Sequence, residues 1–574
     1  MHKLCLEVFS NVDKDGTCFV PLETIICLFI YIYCDCPPVP ITLVITNNDE
    51  KKTSFKINTS GIEFKIVIEN EMLASSNICK LPVLISCNGT SFIGGLCGVL
   101  RQLIKIIDEK HSLLGFKQNC LYACAESSLW TKFCEVDMTL TINHIIQKQN
   151  LNCDLHEIPV DLVRFENHMM QPVKIHNIEK KKQDIAKEKK KKSLSVQLQE
   201  KLNLSETLEH KFSDGLDMTL EDLILFPSFY ILFKCLTCDF FKNNLPFTFK
   251  WYTTMLENDK TEKGLLLFAE NVKVFKNVID GNYTIPKVEK ESFYKGEYKK
   301  KQPKRHFYTK QEEIEKCLEI VNEIKIDFRI TSDFGEGIDF DWADLPSEVC
   351  LGDNQIPIKR LEKKKQQLKS MIKAILKIAK NGDRIVDFCS GSGHLGLTLA
   401  HLLPTCTIVL IENKEQSLNR AKDRAYKLKL FNVIFCQSNL DYFKGNFNIG
   451  VSLHACGVAT DLVIERCIEE KAAFISCPCC YGSIQPNHVI SYPRSRIYQN
   501  SRLTVGDYFV LAHSSDQTHD DDNAKTIQGF KCMMAIDSDR CLRAQEANYT
   551  VLLSKLNPPS CTPKNNLLVG FPGT

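Results

Sequence analysis

Short apolar runs alternate with helical patterns along the last third of the chain. Polar or glycine-rich turns bound each run, and most runs are followed by apolar residues at helical spacing, which predicts alternating strands and helices. Such alternation is typical of a parallel, doubly wound sheet. The five runs are 385–386, 407–411, 433–435, 448–453 and 473–476.

Three later patterns extend the predicted sheet. Residues 529–534 and 549–556 have strand-like apolar content, and 567–570 is a candidate hairpin partner near the end of the chain. We therefore predict a Rossmann-like sheet of seven strands within 359–574. Ligands of such sheets bind where the parallel strands end, so polar residues at those ends are the first candidates for function.

A glycine-rich turn joins the first predicted strand to its helix. It reads D-F-C-S-G-S-G-H-L-G, so Gly391, Gly393 and Gly396 have the spacing G-x-G-x-x-G. This spacing places a nucleotide-type ligand against a helix N-terminus, where negative charge is favoured. Asp387 precedes the turn, and its carboxylate opposes a pyrophosphate. It suits instead a cationic ligand such as the ammonium group of S-adenosylmethionine.

Polar residues at the next strand ends agree with this ligand. Glu412 ends the second strand, where a carboxylate accepts hydrogen bonds from two ribose hydroxyls. Asn439 follows the third strand, where an amide meets an adenine edge. A dinucleotide-binding or ligand-free Rossmann-like domain is the alternative. We expect six residues to hold S-adenosylmethionine: Asp387, Ser390, Gly391, Gly393, Glu412 and Asn439.

The fourth and fifth strands end in residues that predict the methyl-acceptor side. His454 is a candidate base, or else it binds the cofactor or caps the following loop. The cysteines in C-P-C-C-Y-G (477–482) have three interpretations: packing or lining the acceptor, nucleophilic attack on a pyrimidine ring, or zinc binding with Cys389 or Cys456. The first is favoured, so no metal is assigned. The predicted acceptor residues are His454, Cys479, Cys480 and Tyr481, although Tyr481 also fits a core position.

The first 115 residues predict a small α/β unit. Strand patterns occupy 41–45 and 64–68, and Leu81-Pro82-Val83 leads into a strand, a glycine turn and a helix over 95–107. This pattern resembles the thioredoxin-like half of glutathione transferases, in which the proline is cis; an ordinary turn proline is the alternative. The apolar stretch 24–34 is too short to span a bilayer.

Helical patterns continue over 116–285. Thr219 and Asp222 form a predicted capping box in front of an apolar helix. A basic insertion at 174–200 interrupts this region, and a second basic run, 299–305, lies in a connecting segment over 286–358. Both basic segments are typical of exposed linkers, and both also suit contacts with RNA phosphates.

Composition says more about the environment of the protein than about its function. The 574 residues carry a net charge of +2, so any attraction to nucleic acid is local. The 27 cysteines without an evident secretory signal predict reduced thiols and a cytoplasmic protein.

Three motifs and the transferase-like N-terminal region together resemble the family of glutathione S-transferase C-terminal domain-containing proteins. The motifs are the glycine-rich turn, S-L-H-A-C-G-V-A-T-D (452–461) and C-P-C-C-Y-G. The resemblance implies a cytoplasmic protein with a class I methyltransferase fold. H-A-C-G and C-C-Y also resemble a wider group of methyltransferase-like proteins, some of which act on tRNA or rRNA. Residues 92–95 lack the Glu/Gln-Ser pair with which transferases hold glutathione, so we expect the N-terminal half to dock or self-associate.

The sequence thus predicts an S-adenosylmethionine-dependent methyltransferase acting on RNA, with an inactive transferase-like docking module and no membrane contact. A non-enzymatic scaffold is the first alternative, and a glutathione transferase is the second.

Overall fold

The computed structural model of the chain contains two compact units. The first unit comprises Met1–Cys87 and Ile93–Lys304, and the second comprises Asn88–Phe92 and Arg305–Thr574. The structure describes residues 2–47, 53–71, 77–86, 89–107, 112–151, 153–173, 209–269, 274–275, 284–288, 293, 310–325, 328–331, 333–346, 349, 358–518 and 523–573. The basic runs 180–192 and 299–305 lie outside these residues. The finer domain boundaries stay predictions.

The first unit begins with a mixed sheet. The strand β1 is parallel to β3 and antiparallel to β6, and β3 is parallel to β5. The strands β2 and β4 form a separate antiparallel pair. The Leu81–Pro82 peptide before β6 is cis, one of the two forms left open by the sequence. The strands are β1 (Lys3–Val8), β2 (Thr17–Val20), β3 (Ile41–Ile45), β4 (Phe55–Asn58), β5 (Phe64–Ile68) and β6 (Val83–Ile85). The strand β7 (Ser91–Gly94) contains the residues at which the division into two units falls.

Helices make up most of the remaining first unit. The predicted capping box is confirmed: the Thr219 N–H donates to Asp222 Oδ2 at 2.8 Å, and the Trp251 indole donates to Asp222 Oδ1 at 2.8 Å. The box begins a buried helix and is structural. The helices are α1 (Leu22–Tyr33), α2 (Leu96–Ile107), α3 (Leu129–Lys132), α4 (Met138–Asn150), α5 (Val160–Met169), α6 (Leu220–Leu236), α7 (Cys238–Asn244), α8 (Pro246–Leu256) and α9 (Asp259–Leu265).

The second unit contains the predicted sheet of seven strands. Its order is β11-β10-β9-β12-β13-β15-β14, with the short β8 beside β14. The first five of these strands are parallel, and β15 is antiparallel to both neighbours. The strands are β8 (Arg329–Ile330), β9 (Arg384–Phe388), β10 (Thr407–Ile411), β11 (Val433–Gln437), β12 (Ile449–Leu453), β13 (Ala473–Cys477), β14 (Tyr549–Lys555) and β15 (Asn566–Pro572).

Helices connect these strands and pack on the sheet. They are α10 (Gln311–Asn322), α11 (Ile358–Leu376), α12 (His394–Leu402), α13 (Glu415–Lys427), α14 (Val458–Glu469), α15 (Arg496–Gln499), α16 (Val505–Ser514) and α17 (Ala524–Glu546). The core combines buried side chains of β9, β10, β12, α11 and α12. Among the described helices, none alone has the length and apolar character to cross a membrane, although α6 and α7 meet that test as a bent pair.

One strand prediction was wrong. Residues 529–534 lie inside α17, the longest described helix, and not in the sheet. A short apolar run does not by itself distinguish a strand from a buried helix. Gly529 lies where a β-carbon would press on Thr518, so this glycine permits close packing within a helix and does not mark a turn.

Candidate active site

The parallel strands β9, β10, β12 and β13 end at one edge of the second sheet. Their pairing is in register, with Leu410 beside Asp387 and Leu453 beside Cys477. Since parallel strands run in the same direction, the residues at and beyond their carboxyl ends gather along this edge. The candidate site is built from those residues.

The glycine-rich turn is anchored on Asp387. This residue lies in β9 and is 2% exposed, and its Oδ2 accepts the Gly396 N–H at 2.9 Å. A β-carbon at Gly396 would collide with Leu410, so only glycine lets α12 approach the sheet this closely. At Gly391, by contrast, no described atom would lie within 4 Å of a β-carbon. The turn therefore packs tightly at its helix end and leaves space at its middle.

Glu412 connects the turn to the second strand. One of its carboxylate oxygens accepts the Gly391 N–H at 2.8 Å, and the other accepts the Lys414 N–H at 2.8 Å. The Ser390 N–H donates to the Ile411 carbonyl at 2.9 Å. The buried Ser390 hydroxyl has no hydrogen-bond partner among the described residues, so it remains available to a ligand.

The environment of Asp387 raises its pKa. Burial is the main cause and Glu412 adds to it, while the Gly396 hydrogen bond opposes the change, and the pKa reaches about 7. A cation placed beside this carboxyl would favour its ionised form. The pair Asp387 and Glu412 is thus suited to a ligand that combines positive charge with hydroxyl groups.

Asn439 lies half-buried after β11, at the start of a 3-10 turn over Leu440–Tyr442. Asp441 follows it and was missed by the sequence analysis. Its Oδ2 is 3.1 Å from His488 Nε2, while its buried Oδ1 has no partner among the described residues. The signal that selected Asn439, a polar residue just after a strand, applies equally to Asp441.

Arg424 is a second residue that the sequence analysis missed. It lies on α13 and donates to the Ser392 carbonyl at 3.1 Å and to His394 Nδ1 at 2.8 Å, which fixes the glycine-rich turn from outside. Burial and the Arg424 charge hold the pKa of His394 at about 3, so this imidazole is neutral. No local pattern indicates this role, because the partners precede Arg424 by about thirty residues.

His454 lies directly beyond β12 with a φ of 86° and retains solvent exposure. Desolvation of the ring and the nearby Lys364 ammonium lower the pKa of His454. The neutral imidazole that a general base requires is therefore favoured at neutral pH.

Three thiols converge beside it. Cys456 Sγ lies 3.0 Å from Cys479 Sγ and 3.3 Å from Cys480 Sγ, and all three sulfurs are within 4.8 Å of one another. Hydrogen bonding with Cys479, and to a lesser extent with Cys480, lowers the pKa of Cys456. Cys477, from the same sequence motif, instead is buried with its sulfur 3.5 Å from the Lys564 carbonyl. We call Cys456, Cys479 and Cys480 the thiol triad.

Tyr481 does not line the acceptor side. It is 1% exposed, and its hydroxyl donates to Asp537 Oδ2 at 2.6 Å. Arg540 pairs with Asp537 at 3.1 Å and with Asp461 at 2.8 Å. A ring enclosed in this way cannot stack on a substrate base. The structure corrects the predicted acceptor role and shows the core position, which leaves Tyr481 to anchor the turn that carries Cys480.

Residues 363–487 match the family model described as a methyltransferase domain. Together with the strand order, this match defines the second unit as a Rossmann-like methyltransferase domain. The glutathione S-transferase C-terminal domain-containing protein homolog of Drosophila melanogaster is 38% identical over 596 residues, covering 99% of each chain. The Homo sapiens protein of that name is 32% identical over 628 residues, covering 97% of this chain and 96% of the relative. The chain therefore belongs to the family of glutathione S-transferase C-terminal domain-containing proteins.

Solved structures resemble this chain only distantly. The magnesium protoporphyrin IX methyltransferase of Synechocystis PCC 6803, solved with S-adenosylmethionine, is 11% identical with a TM-score of 0.25, covering 39% of this chain and 87% of that chain. The methyltransferase domain of bacterial CtHen1 is 14% identical with a TM-score of 0.23, covering 37% of this chain and all of the other. TM-scores this low carry no argument about the fold beyond the observed strand order.

Proposed function

We propose that this chain is an S-adenosylmethionine-dependent methyltransferase. The observation that carries the proposal is the placement of Asp387 and Glu412 at the ends of adjacent strands, on either side of the open turn at Gly391. Asp387 would hold the ammonium group, Glu412 the ribose hydroxyls and Asn439 the adenine edge. Ser390 would contribute its unpartnered hydroxyl, and Gly391 and Gly393 the close approach of the backbone.

When bound, the cofactor supplies a methyl group on a sulfonium centre, ready for attack by a nucleophile. The residues beyond β12 and β13 would orient that nucleophile, since transfer requires close and aligned reacting atoms. His454 is suited to remove a proton from the acceptor, because its pKa is lowered and its ring remains accessible. Cys479 and Cys480 lie on the same side as part of the thiol triad.

Calorimetric titration with S-adenosylmethionine tests the cofactor assignment. Asp387→Asn keeps an oxygen that accepts the Gly396 N–H but removes the charge, so we expect binding to weaken at least tenfold. Asp383→Asn is the matched control, because Asp383 lies partly exposed just before the same strand and its carboxylate accepts the Lys380 N–H within its own turn. Equal affinity of wild type and Asp387→Asn would refute the site. Absence of binding by wild type would leave the non-enzymatic scaffold as the function.

The acceptor we infer is RNA, tRNA or rRNA, encountered in the cytoplasm. Positive charge near the acceptor side supports a polyanionic substrate. The Lys364 charge contributes to the lowered pKa of His454, and the Lys414 charge contributes to the lowered pKa of Cys456. The basic runs 180–192 and 299–305 would add phosphate contacts. The free state of the described cysteines is consistent with a reducing compartment.

The first unit would act as a thioredoxin-like and transferase-like docking module, binding a protein partner or a second copy of the chain. The arrangement of β1 between a parallel β3 and an antiparallel β6, followed by α2, supports this fold. The absence of an acidic or amide residue over 92–95 argues against glutathione binding. Calorimetric titration with glutathione tests whether the first unit is inactive. A measurable heat of binding to wild type would indicate a glutathione site in the first unit and contradict the docking role.

A further inference from the structure

We propose that the thiol triad is a site for Zn²⁺, with three thiolate ligands and one open coordination position. The observation is that Cys456, Cys479 and Cys480, from two different turns, bring their sulfurs within 4.8 Å of one another. Zinc prefers tetrahedral sites rich in cysteine, and sites with three protein ligands keep a fourth position for water or substrate.

The sulfur distances fit a shared ion. A Zn–S bond of about 2.3 Å and tetrahedral angles place two sulfurs about 3.8 Å apart. Cys456 Sγ is 3.0 Å from Cys479 Sγ and 3.3 Å from Cys480 Sγ, so small side-chain rotations reach that separation. A disulfide between two of them requires about 2.05 Å and would leave the third thiol unpaired.

The backbone holds the two turns in matching positions. Leu453 pairs with Cys477 in register, so Cys456 and Cys480 each lie three residues beyond a paired position. The neighbouring Ser452 and Ser476 hydroxyls are 2.6 Å apart and buried, which ties the strands together just before they end. The convergence of the thiols thus follows from strand pairing and not from chance contact.

A buried ion-pair network holds the two turns that carry the thiol triad. Arg540 donates to the Gly457 carbonyl at 3.4 Å and pairs with Asp537, which accepts the Tyr481 hydroxyl. Gly457 follows Cys456, and Tyr481 follows Cys480, so one side chain positions a ligand on each turn. Ligands supported in this way are preorganised for an ion.

Packing alone does not account for the triad. Cysteines that pack as small apolar side chains are buried, as Cys477 is, whereas Cys456 and Cys480 are exposed. Their exposure also leaves the fourth position open toward solvent. If the proposed methyl transfer is correct, this position lies where an acceptor would be polarised or deprotonated, since zinc lowers the pKa of a bound water or thiol.

The test measures metal in the full-length chain without any cofactor. The chain is expressed with zinc, purified without chelating resin, and its zinc is determined by mass spectrometry. We expect one zinc per chain in wild type and at least tenfold less zinc per chain in Cys456→Ser, Cys479→Ser and Cys480→Ser. Cys238→Ser, an exposed thiol in the first unit, is the control and should retain zinc.

Two further measurements keep the outcome decisive. Cobalt substitution of wild type should give a thiolate-to-metal charge-transfer band, and bound zinc should protect three thiols from alkylation, even if a serine variant fails to fold. Asp387→Asn should bind S-adenosylmethionine at least tenfold more weakly but retain zinc, which separates this proposal from the proposed function. A wild type that takes up no zinc, a disulfide within the triad, or zinc unchanged in all three variants would overturn the site.

Discussion

Asp387 makes cofactor binding sensitive to pH. Burial and Glu412 raise the pKa of this carboxyl to about 7, so near neutrality part of the protein carries it protonated. Binding of a cation favours the ionised form and releases that proton. We expect the association constant for S-adenosylmethionine to fall between pH 7.5 and pH 5.5, with a limiting slope of about tenfold per pH unit. Calorimetry in buffers of different ionisation enthalpy measures the released proton, and a pH-independent affinity would contradict this account.

The same residue affects the stability of the unliganded chain. The folded pKa of about 7 lies above the unfolded value of about 3.9, so the folded state binds more protons between these values. The carboxyl therefore destabilises the fold increasingly as pH rises from 4 to 7, and the full cost is present above 7. We expect Asp387→Asn to unfold at a higher temperature than wild type at pH 8, with the difference vanishing near pH 4. Calorimetric unfolding at both pH values checks the sign, and destabilisation at pH 8 would refute it.

Local sequence identifies only those site residues whose role depends on their own strand end. Asp387, Glu412 and the glycines could be proposed from sequence because a strand, a turn and a helix follow one another along the chain. Arg424 contacts His394, 30 residues away, and this role appears only in the folded sheet. The sequence offered Cys456 only as one of two possible zinc partners, and its contact with Cys479, 23 residues away, is likewise seen only in the folded sheet. Tyr481 shows the same limit, since its contact with Asp537 spans 56 residues and decides between core and acceptor.

At the scale of elements, Arg540 on α17 connects α14 with the turns that follow β12 and β13. This side chain is 2% exposed and pairs with Asp461 and Asp537. We expect Arg540→Met to cost about 3–5 kcal/mol, because it removes the cation that pairs with two buried carboxylates and leaves Asp461 with Arg494, at 3.7 Å, as its remaining cation. Urea unfolding measures the decrease in the free energy of unfolding.

Arg543→Met is the matched control on the same helix. Arg543 is more exposed and pairs with Glu465, which also pairs with Arg494. Its removal should cost less than about 1 kcal/mol. Comparable costs for the two arginine variants would show that burial does not set the importance of this network.

Secondary-structure elements were predicted correctly where their sequence pattern fits only a strand or only a helix. The five parallel strands and the α6 capping box depend on apolar runs between turns and on the spacing of Thr219 and Asp222. The strand prediction for residues 529–534 was wrong because a run of six apolar and polar residues fits either a strand or one side of a helix. These residues belong to α17, in which Cys532, Met533 and Ile536 are buried. Packing of this helix against the sheet, which the local pattern does not show, favours the helix over a strand.

At the scale of the whole molecule, charge is local. The net charge is +2, and the densest groups of basic residues are the short runs 180–192 and 299–305, while Lys364 and Lys414 lie near His454 and Cys456. If the acceptor is RNA, those clusters bind its phosphates, and removing one lysine–phosphate ion pair should reduce the slope of log affinity against log salt by about 0.7. On this proposal the basic runs would set the salt dependence of binding, while the strand-end residues would act in methyl transfer.

Charge neutralisation separates these two contributions. Replacing the lysines of 180–192 by glutamine should weaken binding to tRNA or rRNA and flatten its salt dependence, with no change in affinity for S-adenosylmethionine. Lys364→Gln should weaken RNA binding and also raise the pKa of His454, because the Lys364 charge lowers it. The acidic limb of the rate profile would then move to higher pH in Lys364→Gln alone. Filter binding across a salt series and pH–rate profiles provide both readouts. An unchanged salt slope in both variants would exclude RNA binding at these lysines and direct the search toward a small or protein acceptor.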